Sequence, residues 1–166
     1  MGKKSVRDNK NIYQQSREAA GFTRAEASAA MVYVSDDRIE KIEYGTSAPH
    51  PDEVLTMSKC YAAPALCNYY CSHECPIGRE YVPEVEMKDL SQITLEMLAS
   101  LSRLTKERDR LVEITVDGSI TEDEMPDFLR IKEQLEKMSL AVDALRLWLD
   151  KAMSASILSK MSEGLF

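Results

Sequence analysis

The chain has 166 residues, of which 44% are hydrophobic and 30% charged, a composition typical of a soluble folded protein with one domain or two small ones. No apolar run is long enough to span a membrane, and the N-terminus lacks the apolar segment of a secretory signal, so we expect a cytoplasmic protein without membrane association. The net charge of −7 argues against a generally basic nucleic-acid-binding surface. The first eleven residues carry Lys3, Lys4, Arg7 and Lys10 against one aspartate, so the positive charge available for phosphates lies before and within the first helical unit.

Residues 21–45 predict two short helices joined by a tight turn. Thr23, with a glutamate three residues on, forms a capping box that starts one helix, and Ser35 caps the next. The second helix has only Ile39 and Ile42 as apolar residues, so its remaining polar face points outward. This pattern is typical of a helix-turn-helix motif.

Further helices surround this motif. We expect a first helix over residues 11–20, a fourth helix over residues 53–61 capped by Asp52, and a fifth over residues 65–75 opened by Pro64. The segment from Arg79 to Val85 is expected to be extended. No strand pattern competes with these helices, so the chain is predicted to be all-α.

The rest of the chain predicts a long antiparallel helical hairpin. One helix begins at Asp89 or Ser91 and runs towards Ile114, and a turn with Asp-Gly separates it from a second helix, which begins near Glu122 and passes Trp148. The second helix carries a heptad seam: Phe128, Ile131, Leu135, Met138, Val142, Leu145, Leu149 and Ala152. Further apolar residues give it a second face, which a single hairpin cannot cover. We therefore expect a homodimer or small bundle through residues 89–166, with an intramolecular hairpin packed on the head as the alternative.

Three anchor segments appear in order: Arg17 to Thr23, Ser35 to Gly45, and Pro49 to Leu55. Over residues 11–61 the sequence resembles the Cro/C1-type helix-turn-helix of the XRE family of transcriptional regulators. Together with the helices predicted from the residues, this divides the chain into a five-helix head over residues 1–78, a linker over 79–88 and a hairpin over 89–166 that is expected to serve oligomerisation. It also implies a sequence-specific, dimeric regulator that binds double-stranded DNA.

The resemblance assigns roles to individual residues. Arg17 and Glu43 match a pair that forms a partly buried salt bridge between the first and third helices. Other positions match DNA contacts, with Arg24 placed at a phosphate: Arg24, Ser35, Asp36, Asp37, Arg38, Lys41 and Thr46. The basic N-terminal arm is expected to lie along the DNA.

Two aspartates depart from the family pattern. Asp36 and Asp37 stand where polar or basic residues are usual, and phosphates repel a carboxylate, whose best base partner is the amino group of cytosine. Either this helix selects a cytosine-containing step, or the fold has become a protein-interaction module that no longer binds DNA. A third reading is that both aspartates only favour the N-terminus of the helix through its dipole.

All four cysteines fall in one segment: Cys60, Cys67, Cys71 and Cys75. We expect thiols in a helix contact and no cofactor. A zinc or iron–sulfur site and a redox disulfide remain alternatives. On a continuous helix the outer two of the last three thiols lie about 12 Å apart, so a shared metal requires the helix to break near residues 72–75.

The sequence contains no phosphate-binding glycine loop, no paired metal-binding histidines and no nucleophile-elbow serine. We therefore do not expect an enzyme.

Overall fold

The computed structural model describes residues 9–162, and the backbone alone from residue 155 onward. Within that range the chain is all helical, without strands, and the predicted fold class, an all-α head followed by a long helical hairpin, is confirmed. No helix in the described range combines the length and apolar composition that crossing a bilayer requires. The chain divides into two compact units. One contains the described residues up to Glu84 together with those from Asp150 onward, and the other is Val85–Leu149.

Local capping signals set the first three helices. Helix α1 spans Ile12–Ala19, α2 spans Arg24–Met31 and α3 spans Asp36–Glu43. The predicted capping box is present. The hydroxyl oxygen of Thr23 accepts from the backbone N–H of Glu26, and the Glu26 carboxylate accepts from the backbone N–H of Thr23. Ser35 caps α3 as expected.

The core of the first unit lies between these helices and α4. Ile39 and Ile42 are fully buried, whereas the polar residues between them face outward, as the spacing predicts. Gly45 follows α3 with a φ of 68°, a conformation that glycine adopts without steric cost. The buried core consists of Tyr13, Ala27, Met31, Val34, Ile39, Ile42, Val54, Met57, Tyr61 and Leu66.

Helix α4 begins earlier than predicted. It spans Pro51–Cys60, so the N-cap is His50 and not Asp52, and that prediction is wrong. Pro51 suits the first helical position because its missing N–H is not needed there. The backbone N–H of His50 donates to Glu53 Oε2 at 2.7 Å, which satisfies a group at the helix start.

The cysteine segment is less regular than predicted. Helix α5 spans Ala65–Tyr69 and continues as a π-helical turn over Tyr70–Glu74, after which Cys75 is extended, so the helix does not continue through Cys75. A short helix α6, Gly78–Tyr81, covers the start of the segment predicted to be extended, so that prediction is wrong for residues 79–81, whereas Val82 is extended. A Cβ atom at Gly78 would lie 2.1 Å from the carbonyl oxygen of Cys71. Only glycine therefore permits α6 to approach the π turn.

The second unit contains the predicted hairpin as far as Leu149. Helix α7 spans Leu90–Thr115 with Asp89 as its N-cap, and α8 spans Met125–Ser162, starting three residues later than predicted. The two helices run antiparallel, because the contacts between them join successively earlier residues of α7 to successively later residues of α8. These contacts are Arg110 Nε–Asp127 Oδ2 at 2.8 Å, Arg130–Glu107 Oε2 at 2.8 Å and Arg103–Gln134 Oε1 at 3.5 Å.

Only part of the predicted α8 seam is buried. Ile131 is 1% exposed, whereas Leu135, Val142 and Leu149 are 45–47% exposed. Ala141, which the predicted seam left out, is 3% exposed. At every second position, the residue that is more buried therefore precedes the predicted seam residue by one, as Ala141 precedes Val142. Half of the predicted seam residues lie on the surface of the hairpin.

Candidate nucleic-acid interface

The outward face of α3 is predominantly acidic. Asp36, Asp37 and Lys41 are exposed on it, and Glu40 is half-buried at its edge. Lys41 Nζ lies 3.6 Å from Asp37 Oδ2, which is a loose, exposed i,i+4 pair. The face therefore presents its carboxylates more openly than its one cation.

Glu43 joins α3 to both preceding helices. Arg17 holds both of its carboxylate oxygens, at 2.5 and 2.9 Å, and also donates to the carbonyl of Phe22 at 2.7 Å. The side chains of Arg17 and Glu43 are 7% and 1% exposed, so the two residues that the resemblance pairs do form an ion pair here, and it is buried. Arg24 Nε adds a third contact to Glu43 at 2.8 Å. Glu43 is consequently the centre of a network that fixes α1, α2 and α3 together.

Arg24 does not present a free guanidinium to solvent. Besides Glu43, it binds Glu40 Oε1 at 2.8 Å, and its guanidinium carbon lies 5.0 Å from the centre of the Tyr44 ring. A phosphate contact by Arg24 requires it to exchange at least the Glu40 carboxylate for the phosphate. The sequence did not reveal these partners, since they lie 16 and 19 residues away.

Arg38 is held in a similar way by α4 and the loop before it. It binds both oxygens of Glu53 at 2.7 Å, and it donates to Ser47 Oγ at 2.6 Å and to the carbonyl of Ala48 at 2.9 Å. The hydrogen bonds from Arg38 hold the pKa of the Glu53 carboxyl below its ordinary value, although partial burial opposes this. Arg38 therefore joins α3 to α4 in the structure.

Ser35 and Thr46 use their polar groups locally. Ser35 Oγ accepts from the backbone N–H of Arg38 at 3.2 Å, which is its capping role. The hydroxyl of Thr46 donates to the carbonyl of Lys41 at 3.1 Å, and the backbone N–H groups of Thr46 and Ser47 bind the same carbonyl. These N–H groups close the end of α3 and are not directed at a ligand.

The turn between α2 and α3 exposes two large side chains, Val32 and Tyr33. Val32 is 90% exposed and Tyr33 is 65% exposed, next to the acidic start of α3. Val32 has a φ of 61°, a conformation that β-branched residues rarely adopt. The hydroxyl of Tyr33 bonds to that of Thr56 on α4, which holds the turn against the head.

Most basic side chains of the head are neutralised within the chain. Lys10 binds Glu18 at 2.6 Å, and the arginines at 17, 24 and 38 are paired as described. Across residues 9–84, only Lys59 and Arg79 have no carboxylate partner. The basic arm predicted to contact DNA, with Lys3, Lys4 and Arg7, falls outside the described residues.

The four cysteines are free thiols, each partly buried. Burial raises the pKa of the Cys71 thiol, and the neighbouring Cys75 and Cys67 raise it further, which keeps Cys71 protonated at neutral pH. Burial also raises the pKa of Cys60. In the described part of the chain, no group of three or more histidine, cysteine or carboxylate side chains is arranged to hold a metal ion, although the helix does change geometry near residues 70–74.

Comparisons with models of known protein families, with curated proteins and with solved structures found no match for this chain. The function therefore has to be argued from the residues and geometry of the head and hairpin.

Proposed function

We propose that the chain is a cytoplasmic, sequence-specific DNA-binding regulator of transcription, of the Cro/C1 type of the XRE family, that acts as a homodimer through residues 89–166. The observation that carries the proposal is the arrangement of α2, the turn and α3. Helix α3 buries Ile39 and Ile42 and exposes Asp36, Asp37 and Lys41, which is how a recognition helix is placed for the major groove.

Two features of the head support this assignment. The Glu43 network braces α3 against α1 and α2, so the helix is presented rigidly, as base reading requires. Ser35 caps the helix start, where recognition helices approach base edges.

The acidic face determines what kind of DNA binding is proposed. Asp36 and Asp37 are exposed and accept hydrogen bonds only, so their base partner is the N4 amino group of cytosine. Lys41 on α3 and the basic N-terminal arm supply the phosphate contacts. Affinity per head is modest because Arg24 and Arg38 already bind carboxylates, and two heads on an inverted repeat make up for it.

A second candidate function rests on a different observation. The exposed Val32 and Tyr33 lie beside two exposed carboxylates, and the arginines of the head are neutralised internally. Such a surface suits a protein partner with apolar and basic side chains. In that case the chain is an interaction module on a helix-turn-helix fold.

Selection from random genomic DNA fragments at low salt, followed by sequencing, separates the two functions. Enrichment of an inverted repeat with half-sites about 10 base pairs apart supports the regulator. Retention of no fragments at low salt contradicts it and favours the interaction module.

The aspartates are tested once a binding site is known. If Asp36 or Asp37 reads cytosine, substitution by alanine relaxes the preference at one position of the site. If the carboxylate only repels phosphate, the same substitution tightens binding to all sequences equally, and the proposed base contact is wrong.

A further inference from the structure

One side of the helical hairpin exposes a row of large apolar side chains. Single apolar residues on a surface are ordinary, but a contiguous row on one side of two helices is not. We name these residues the leucine face, and each of them is between 45% and 58% exposed: Leu98, Leu101, Leu135, Val142 and Leu149.

The two helices contribute to the same side of the hairpin. Leu101 directly follows the buried Ser100 on α7, and Val142 directly follows the buried Ala141 on α8. Residues that follow a seam position lie on the same flank of their helix, and in an antiparallel pair these equivalent flanks face one side. The register set by the contacts between the helices places Leu101 beside Leu135.

The opposite side of the hairpin is polar and closed by contacts between α7 and α8. These are the ion pairs of Arg110 with Asp127 and of Arg130 with Glu107, and the contact of Arg103 with Gln134. Within the described side chains no hydrogen bond or ion pair between the helices crosses the leucine face. One side of the hairpin is therefore joined by polar contacts between α7 and α8, whereas the other side exposes the leucine face.

We propose that the leucine face binds the leucine face of a second copy, which forms an antiparallel four-helix bundle. With about half of each side chain exposed, the five residues offer roughly 400 Å² of apolar surface, which is the size of the largest, often functional, apolar patch on a monomer. A standard interface buries about 800 Å² per partner, and this apolar face supplies about half of that area.

The charges that border the leucine face favour a second copy over a strongly charged partner. Two exposed ion pairs lie on the helices that carry the face, Arg108 with Asp109 on α7 and Lys132 with Glu136 on α8. Charges that are paired in this way neither repel a second copy nor attract a strongly basic or acidic partner. The inference specifies the contact for the dimer in the proposed function and rests on that function only for its biological purpose.

The test is the oligomeric state of the full chain by sedimentation equilibrium. We expect the wild type to be dimeric with a dissociation constant of about 1 µM or tighter. A double substitution, Leu98→Lys with Val142→Lys, is expected to give monomers at concentrations where the wild type is dimeric. Leu140→Lys, on the same helix as Val142 but away from the leucine face, is the matched control and is expected to remain dimeric.

Circular dichroism on the same samples distinguishes loss of dimer from loss of fold. The milder Leu98→Ala is expected to raise the dissociation constant at least about tenfold, because the side chain is truncated in both copies. A monomeric wild type, or a double variant that stays dimeric, overturns the inference. A dimer that selects no DNA leaves this inference standing and contradicts the proposed function instead.

Discussion

Release of Arg38 from Glu53 offers a quantitative test of how the head binds DNA. In the variant Glu53→Gln, the amide still accepts from the backbone N–H of His50, but it no longer carries the charge that holds Arg38. Arg38 keeps its bonds to Ser47 and to the carbonyl of Ala48 in the free protein. The guanidinium thereby loses its only carboxylate and is available to a phosphate.

The expected size of the effect follows from counterion release. Each added phosphate contact steepens the slope of log K against log salt by about 0.9, so two heads add about 1.8. At low salt the variant should bind the duplex more tightly than the wild type does. Between 50 and 200 mM salt, its affinity should therefore fall by a factor roughly twelvefold larger than that of the wild type. The substitution should lower the free energy of unfolding by only about 1 kcal/mol, because the ion pair of Arg38 with Glu53 is partly solvated.

Fluorescence anisotropy with a labelled duplex across a salt series measures this slope. The control is Glu133→Gln, which removes the same charge from an exposed pair with Lys137 on α8. Both variants have a net charge one unit less negative than the wild type, so a general effect of charge alters both alike. If the slope of log K against log salt is equal for the two variants, Arg38 does not contact a phosphate after loss of the Glu53 charge, and the reasoning is refuted.

Three further predictions concern stability, each measured by urea or thermal unfolding. Glu43→Gln should cost about 3–5 kcal/mol, since it leaves the buried Arg17 without its partner, whereas Arg24→Ala should cost about 1 kcal/mol; equal losses would contradict the central place of Glu43 in the network. Gly78→Ala should destabilise by about 1–3 kcal/mol or more, because the added methyl group overlaps a backbone oxygen, and an unchanged melting temperature would show that α6 does not pack as closely as described. The depressed pKa of Glu53 means that its ionised form stabilises the fold above about pH 4.3, the unfolded value, and that this contribution disappears as the pH falls through the lower folded value. The stability difference between wild type and Glu53→Gln should accordingly shrink on acidification, and a difference independent of pH would contradict the assignment.

Local signals predicted the helix-turn-helix closely. Thr23 and Ser35 fix the starts of α2 and α3 through bonds to residues three positions away, so the information lies within one turn of sequence. The predicted start of α4 was wrong although the sequence carries a signal for the observed one. Proline suits the first helical position, Pro51, and Glu53 two residues later accepts from the backbone N–H of the cap residue His50.

Long-range contacts explain what the sequence did not reveal. The π turn and α6 depend on the approach of Gly78 to Cys71, which no local pattern encodes. The ion partners of Arg24 and Arg38 lie on other elements, so the sequence showed the cations but not their neutralisation. In the hairpin, two apolar rows overlap on α8, and the regular spacing could not show which of them faces α7.

The central claim is that the outward face of α3 binds duplex DNA. Amide chemical shifts of the isotope-labelled full chain, recorded during titration with a duplex at low salt, test it most directly. The account predicts that the largest changes occur at Asp36, Asp37, Lys41 and Thr46, with small changes through residues 90–115. An unchanged α3 at saturating duplex, or changes confined to the hairpin, would contradict the account.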